Sequence, residues 1–207
     1  MLRLRGATRL RWARIAGTFA VAVWCGHWLP AAADEPTVRI TTASGNIVVE
    51  IDATHAPVTA GNFLRYVDQK LYDGGAFHRT VTLGNQPTSD IRIEVIQAGI
   101  SPKRESEEFP PIPLERTSET GLRHLAGEIS MARDGPDTAT SDFFICVTDQ
   151  PSLDFGGRRN PDGQGFAAFG RVLSGMQVVR RIQLSRAHGQ RLAPPIRIVS
   201  IRRMAAP

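Results

Sequence analysis

The sequence predicts a mainly β domain: an antiparallel sheet, closed or sandwiched on itself, with two helices lying outside it. Two observations carry this. Short apolar runs recur along the chain between clusters of Gly, Pro, Asn and Asp, the pattern of many short strands joined by turns. Helical spacing occurs in two stretches only, and they stand far apart.

In chain order, Val38 and Ile40 alternate, as do Ile47, Val49 and Ile51, with Ser44-Gly45-Asn46 between, which predicts an opening hairpin. Pro57 suits a first helical position, and Ala60, Phe63, Leu64 and Val67 follow the spacing of one helix face. Strand-like runs follow at Ile91–Ile96, Gly127–Ala132, Phe143–Val147 and Ala168–Leu173. A second helix is expected after Ser174, with Val178, Val179 and Ile182 on one side, and Ile196–Ile201 is a closing strand. Thr82–Asp90, Ser101–Pro113 and Asp154–Gly165 carry the polar, Gly- and Pro-containing composition of loops.

The segment before this domain has a different character. Arg3, Arg5, Arg9, Arg11 and Arg14 open the chain, an apolar run reaches from Ile15 to Leu29, and Ala31-Ala32-Ala33 ends it. This is the shape of a secretory signal peptide over 1–33, cleaved near Ala33, followed by one domain over 34–207. A retained membrane anchor is the competing reading, but the run falls short of the ~20 residues a span requires. Val23-Trp24 before Cys25 fits a lipobox poorly, and no Arg-Arg pair marks a twin-arginine route. Removing residues 1–33 leaves 20 of the 25 basic residues against all 20 acidic ones. The basic balance of the whole chain is therefore a targeting feature and no footprint for nucleic acid. A periplasmic or secreted protein is expected, without stable membrane insertion once the signal is gone, and monomeric, since no heptad pattern is sustained. Cys146 is then the one cysteine left and reads as a buried small hydrophobe.

Two motif blocks give the domain a family. The first is Tyr72-Asp73-Gly74-Gly75-Ala76-Phe77-His78-Arg79. The second is Ile129-Ser130-Met131-Ala132-Arg133, continued by Ala139-Thr140-Ser141-Asp142-Phe143-Phe144-Ile145, with Gly165-Phe166-Ala167-Ala168-Phe169-Gly170 after it. In this order they resemble the Y-D-G-x-x-F-H-R and S-M-A-x…S-x-F-F-I blocks of the cyclophilin family of peptidyl-prolyl cis/trans isomerases, over roughly Val38 to Ile201. The resemblance decides between barrel and sandwich: it implies a closed eight-stranded antiparallel β-barrel capped by two α-helices.

It also implies an activity and a site. Rotation about an Xaa–Pro bond must break amide resonance, against a barrier of ~18–20 kcal/mol. Catalysis of this step requires an apolar slot for the proline ring and a fixed donor for the prolyl nitrogen, which regains its lone pair as the bond twists. An arginine, always charged and presenting a planar fork, suits that task. By resemblance Arg79 is this catalyst. Gln97, in Val95-Ile96-Gln97-Ala98-Gly99, matches the glutamine that bonds substrate backbone and steadies the arginine; Ala132 and Arg133 match the pair that meets the peptide backbone. Asp142 stands at a further backbone contact, and Val95, Phe144, Leu153 and Phe166 receive the proline ring. His78 is implied to pack or to hydrogen-bond. The partners implied are unfolded or extended proline-containing polypeptides, with no cofactor and no metal. A non-catalytic proline-peptide-binding chaperone module on the same fold is the alternative, and a purely structural envelope protein a third.

The chain departs from the family pattern in places. Glu94 stands where a slot-wall phenylalanine is usual, and a carboxylate there requires solvent or a partner. Asp142 replaces the glutamine common before F-F-I. Ser152 replaces the tryptophan of cyclosporin-sensitive members, implying weak binding of that ligand. Ala98 breaks a Gly-Gly pair, Arg79 to Gln97 is longer than usual with the extra residues in Thr82–Asp90, and Asp154–Gly165 is long enough to add a flap beside the slot. Other chemistries find no motif: His55, His124 and His188 are scattered, and Asn160-Pro161-Asp162-Gly163 lacks the ligand pattern of a calcium loop.

Overall fold

The computed structural model describes residues 35–205, so the expected signal peptide lies outside the described residues. Eight strands form the barrel: β1 (Thr37–Thr42), β2 (Gly45–Ile51), β3 (Ala76–Val81), β4 (Val95–Gly99), β5 (Glu128–Met131), β6 (Phe143–Cys146), β7 (Ala168–Ser174) and β9 (Arg191–Arg203). They run β1–β2–β7–β5–β6–β4–β3–β9, every pairing antiparallel, and β9 returns to β1 to close the sheet. Closure removes the unpaired edges that an open sheet would expose. A two-residue strand, β8 (Ala187–His188), folds back on β9 as a short hairpin arm.

The expected helices are α1 (Pro57–Asp68) and α3 (Met176–Gln183); between them lie a short α2 (Thr117–Thr120) and 3-10 turns at Leu83–Asn85, Pro102–Glu107 and Pro151–Leu153. Ala56 cannot cap α1 with its side chain, and the carboxylate of Glu115 accepts from the Val58 and Thr59 N–H groups instead, at 3.0 and 2.7 Å. This satisfies first-turn donors and places negative charge at the positive end of the helix dipole. Phe63 of α1 then meets Tyr72, Phe143 and Phe169 at ring-centroid distances of 5.2–5.4 Å. Val178, Val179 and Ile182 of α3 join the same buried cluster.

Strand alternation builds a second, smaller cluster on the other side of the sheet. Phe143 faces the main core, while Phe144 joins Val81, Ile93, Val95, Cys146 and Leu153. Cys146 is fully buried, which pushes its thiol well above the usual range. The functional cleft opens over this cluster.

The strands β3 and β8 are not expected from the apolar runs, and two further strand boundaries differ from the sequence expectation. The run Ile91–Ile96 does not form a strand until Val95, and the strand then continues to Gly99. Gln86 is the reason: its amide accepts from the Ile93 N–H and donates to the carbonyls of Ile93 and Thr82, so ladder partners for Ile93 are replaced by a buried side chain. The closing strand is longer than Ile196–Ile201 and starts at Arg191. Between Ile196 opposite Phe77 and Arg191 opposite Arg79, the β9 chain bulges through Pro194-Pro195, which have no N–H to give to a ladder.

Candidate active site

The position of Arg79 depends on one extra residue. Phe77 pairs with Ala98 and Arg79 with Gln97, so His78 and Arg79 together oppose a single residue of β4. This bulge resets the alternation of β3. Phe77 and Ala98 face the core, and Arg79 and Gln97 emerge together on the cleft side. Without it Arg79 would point into the barrel.

The guanidinium is held by three hydrogen bonds to two glutamines. Nη1 donates to Gln97 Oε1 at 2.9 Å, and Nε and Nη2 donate to Gln190 Oε1 at 2.9 and 2.6 Å. Donors on both Nη atoms remain for a ligand, since a guanidinium carries five N–H groups. Partial burial, with Arg159 nearby, holds the group below the usual arginine range. Gln190 comes from the β8–β9 hairpin, 111 residues away in the chain, and its N–H-bearing neighbour Thr80 donates to its carbonyl. No spacing in the sequence pairs Gln190 with Arg79.

All nine residues expected at the site line one cleft of about 370 Å³: Arg79, Val95, Gln97, Ala132, Arg133, Asp142, Phe144, Leu153 and Phe166. Phe144 and Leu153 are buried and form its apolar floor. Phe166 stands edge-on to Phe144 at 5.4 Å, and the buried His124 ring stacks on Phe144 at 5.9 Å. His124 is fixed by Asp154 Oδ1 on Nδ1 (2.8 Å) and by Ser130 Oγ on Nε2 (3.0 Å). The constellation has the members of a nucleophilic triad, but Ser130 is fully buried within β5, so it acts as a brace beneath the slot.

The structure alters two sequence expectations. Glu94 is not part of the slot wall: its carboxylate accepts from Thr148 Oγ1 at 3.0 Å and Gln183 Nε2 at 3.2 Å, while Ile93 and Val95 on either side of it line the cleft. The carboxylate thus has the partners that its partial burial requires. The Arg133 side chain is not available to a peptide. It is almost wholly buried, forks onto Asp162 at 2.7 and 3.0 Å, and donates to the Gly165 carbonyl. Its backbone N–H and C=O, by contrast, have no partner among the described residues. The loop 154–165 does border the slot: Arg159 and Asn160 line the cleft, and Arg159 donates to Ser89 Oγ of the loop 82–90 and to the Ile91 carbonyl that follows it.

Asp142 sits between the two functions of backbone contact and charge. Gly99 leaves it room, because a Cβ there would overlap its carboxylate. Gln97 Nε2 donates to Asp142 Oδ2 at 3.0 Å, and His78 Nε2 lies 3.5 Å from the same oxygen. A carboxylate only accepts, so it forces the Gln97 amide to turn its oxygen to Arg79. Desolvation raises the Asp142 pKa, against the Gln97 bond and His78 that lower it, with Glu108 and Glu105 adding to the rise. Below that raised pKa the protonated acid can donate, and the amide is no longer forced. The expected result is an acid limb in kcat/KM lying above 3.8, the ordinary aspartate value, and its loss in Asp142→Asn. A wild-type profile that stays flat through that range would refute the coupling.

Among the described residues no group of three or more His, Cys, Asp or Glu is placed to hold a metal ion. Residues 37–203 match the family model described as cyclophilin type peptidyl-prolyl cis-trans isomerase/CLD. The chain is 38% identical over 153 residues to peptidyl-prolyl cis-trans isomerase A of Dickeya dadantii, covering 73% of each chain. It is 32% identical over 147 residues to peptidyl-prolyl cis-trans isomerase B of Escherichia coli, covering 70% of this chain and 83% of that one. The fold is similar to that of a crystal structure of a Cryptosporidium parvum cyclophilin type isomerase, with a TM-score of 0.67 at 21% identity over 84% of this chain and 99% of the other.

Proposed function

Because the chain belongs to the cyclophilin-type peptidyl-prolyl cis-trans isomerase family and is an isomerase of that kind, we propose that Arg79 is its catalyst and that it assists the folding of exported proteins. The observation that supports the first part is the fork of Arg79, clamped between Gln97 and Gln190 at the edge of the Phe144–Leu153 floor. An extended Xaa–Pro segment lies across the cleft with the ring on that floor. The remaining Nη donors meet the prolyl nitrogen as its lone pair appears, an interaction stronger in the twisted state than in the planar one. The unpaired backbone of Arg133 takes the peptide backbone, and the Arg133–Asp162 ion pair holds the flap and Phe166 at the rim. No nucleophile, metal or redox group is required for a rotation.

The second part rests on the N-terminal sequence. Five arginines, a short apolar run and Ala31-Ala32-Ala33 compose a signal that is removed near Ala33, releasing a monomeric domain into the periplasm or the medium. No helix among the described residues is long and apolar enough to cross a membrane. Expression of the full chain in a bacterium, followed by fractionation and mass measurement, is expected to recover a protein beginning at or near Asp34 outside the cytoplasm. Recovery of the uncleaved chain in the cytoplasm would overturn export and leave the isomerase reading untouched.

A further inference from the structure

The cleft contains two guanidinium groups without a carboxylate for either. Of the three arginines that line the cleft, Arg133 pairs with Asp162, whereas Arg79 and Arg159 form no ion pair among the described residues. Arg79 is held by two neutral amides. Arg159 is held by a hydroxyl and a carbonyl, Ser89 Oγ at 2.9 Å and Ile91 O at 2.6 Å, both on its Nη1. Its Nε and Nη2 find no partner among the described residues, and the side chain is only partly buried.

Arg159 is also braced. Its own N–H donates to the Ser152 carbonyl next to the slot residue Leu153, and its Nη1 bonds tie the flap to the chain beside 82–90. A cation fixed by neutral groups at a partly dry wall keeps its attraction for an anion, because little of it is spent internally. The cleft carboxylates do not cancel it. Arg79 has Arg159 as its charged neighbour, while Asp142 lies among His78, Glu108 and Glu105. Asp134 also lines the cleft, on the loop that carries Arg133. Gln97 stands between Arg79 and Asp142, bonded to both, so the cationic and anionic groups occupy different parts of the cleft.

We infer that this isomerase selects Xaa–Pro segments bearing an acidic side chain close to the proline, whose carboxylate Arg159 receives. The inference rests on the cleft being the isomerase site; it adds the substrate class. Arg159 stands on the loop 154–165 that borders the cleft.

The test scans Glu and Lys through the two positions on each side of proline in a short peptide and measures kcat/KM with the full domain. At one of the four positions Glu is expected to exceed Lys by about five- to tenfold at low salt, shrinking in high salt as the pair is screened. Arg159→Lys should keep the order and Arg159→Glu should reverse it, which a merely structural role for the side chain would not do. Ratios near one at all four positions, or a ratio unchanged in Arg159→Glu, would overturn the inference. Absence of catalysis by the wild type on a neutral Ala-Pro peptide would instead overturn the slot assignment itself.

Discussion

Replacing Arg79 with alanine is expected to lower kcat/KM for an Ala-Pro peptide by about 10²–10³, the usual loss when a preorganised donor to a transition state is removed. The loss should fall on kcat more than on KM, because the interaction arises only as the bond twists. The fold should survive. Arg79 lies on the cleft side of β3, and its two partners, Gln97 and Gln190, remain within reach of water once the guanidinium is gone. Arg79→Lys is the sharper variant. It retains a positive charge but cannot reach both glutamines at once with a planar fork, so it should recover little of the rate. Cis-to-trans relaxation measured with wild type and both variants checks this. An Arg79→Ala enzyme with near wild-type kcat would mean that the slot alone, by holding the ring, does the work.

The floor of the site was legible through the resemblance, which put Phe144 there; strand alternation is the physical reason the placement works. In Phe143-Phe144, one ring must go to each side of the sheet, and the structure sends Phe143 to the core and Phe144 to the cleft. Arg79 and Gln97 were found as motif residues, but the reason they share a face is the bulge at His78, which depends on pairing between β3 and β4 and has no signature in a single strand. Three further features were hidden because they are decided by partners distant in the chain. Gln86 withdraws the Ile93 backbone from a ladder that its β-rich composition predicts. Asp162 and Gly165 occupy an arginine side chain that its motif position suggested for substrate. Gln190 completes the clamp on Arg79 from the far hairpin. Each is a polar side chain meeting a specific donor or acceptor, and such pairings leave no periodicity to read.

Glu128 carries the second large expectation, on stability. It lies in β5 with 9% of its surface exposed, in a strand whose four residues are all buried. Its cross-strand partner is Arg171, but that guanidinium donates to Glu50 Oε2 at 2.8 Å. Desolvation therefore dominates and pushes the carboxyl up to about 8; Arg171 opposes this, and Asp52 and Asp154 reinforce it. In the unfolded chain the group titrates near its ordinary 4.5. Between these two values the folded protein binds a proton that the unfolded one does not, so stability falls as pH rises through the window and levels off above it. At ~1.4 kcal/mol per pH unit the whole window is worth on the order of 5 kcal/mol, a large part of a domain's stability. The carboxylates held low by arginine, Asp68 and Asp73, titrate below this window; Asp142, raised by desolvation, is present in wild type and variant alike, so the difference between the two proteins reports Glu128. Glu128→Gln keeps the shape, removes the proton, and should flatten the slope, leaving the variant more stable than wild type by about 2–4 kcal/mol at pH 8.5. Urea unfolding of both proteins at pH 5, 6.5 and 8.5 decides it. Parallel pH dependence in the two would mean that the buried carboxylate is ionised in the fold and that water or Arg171 stabilises it there.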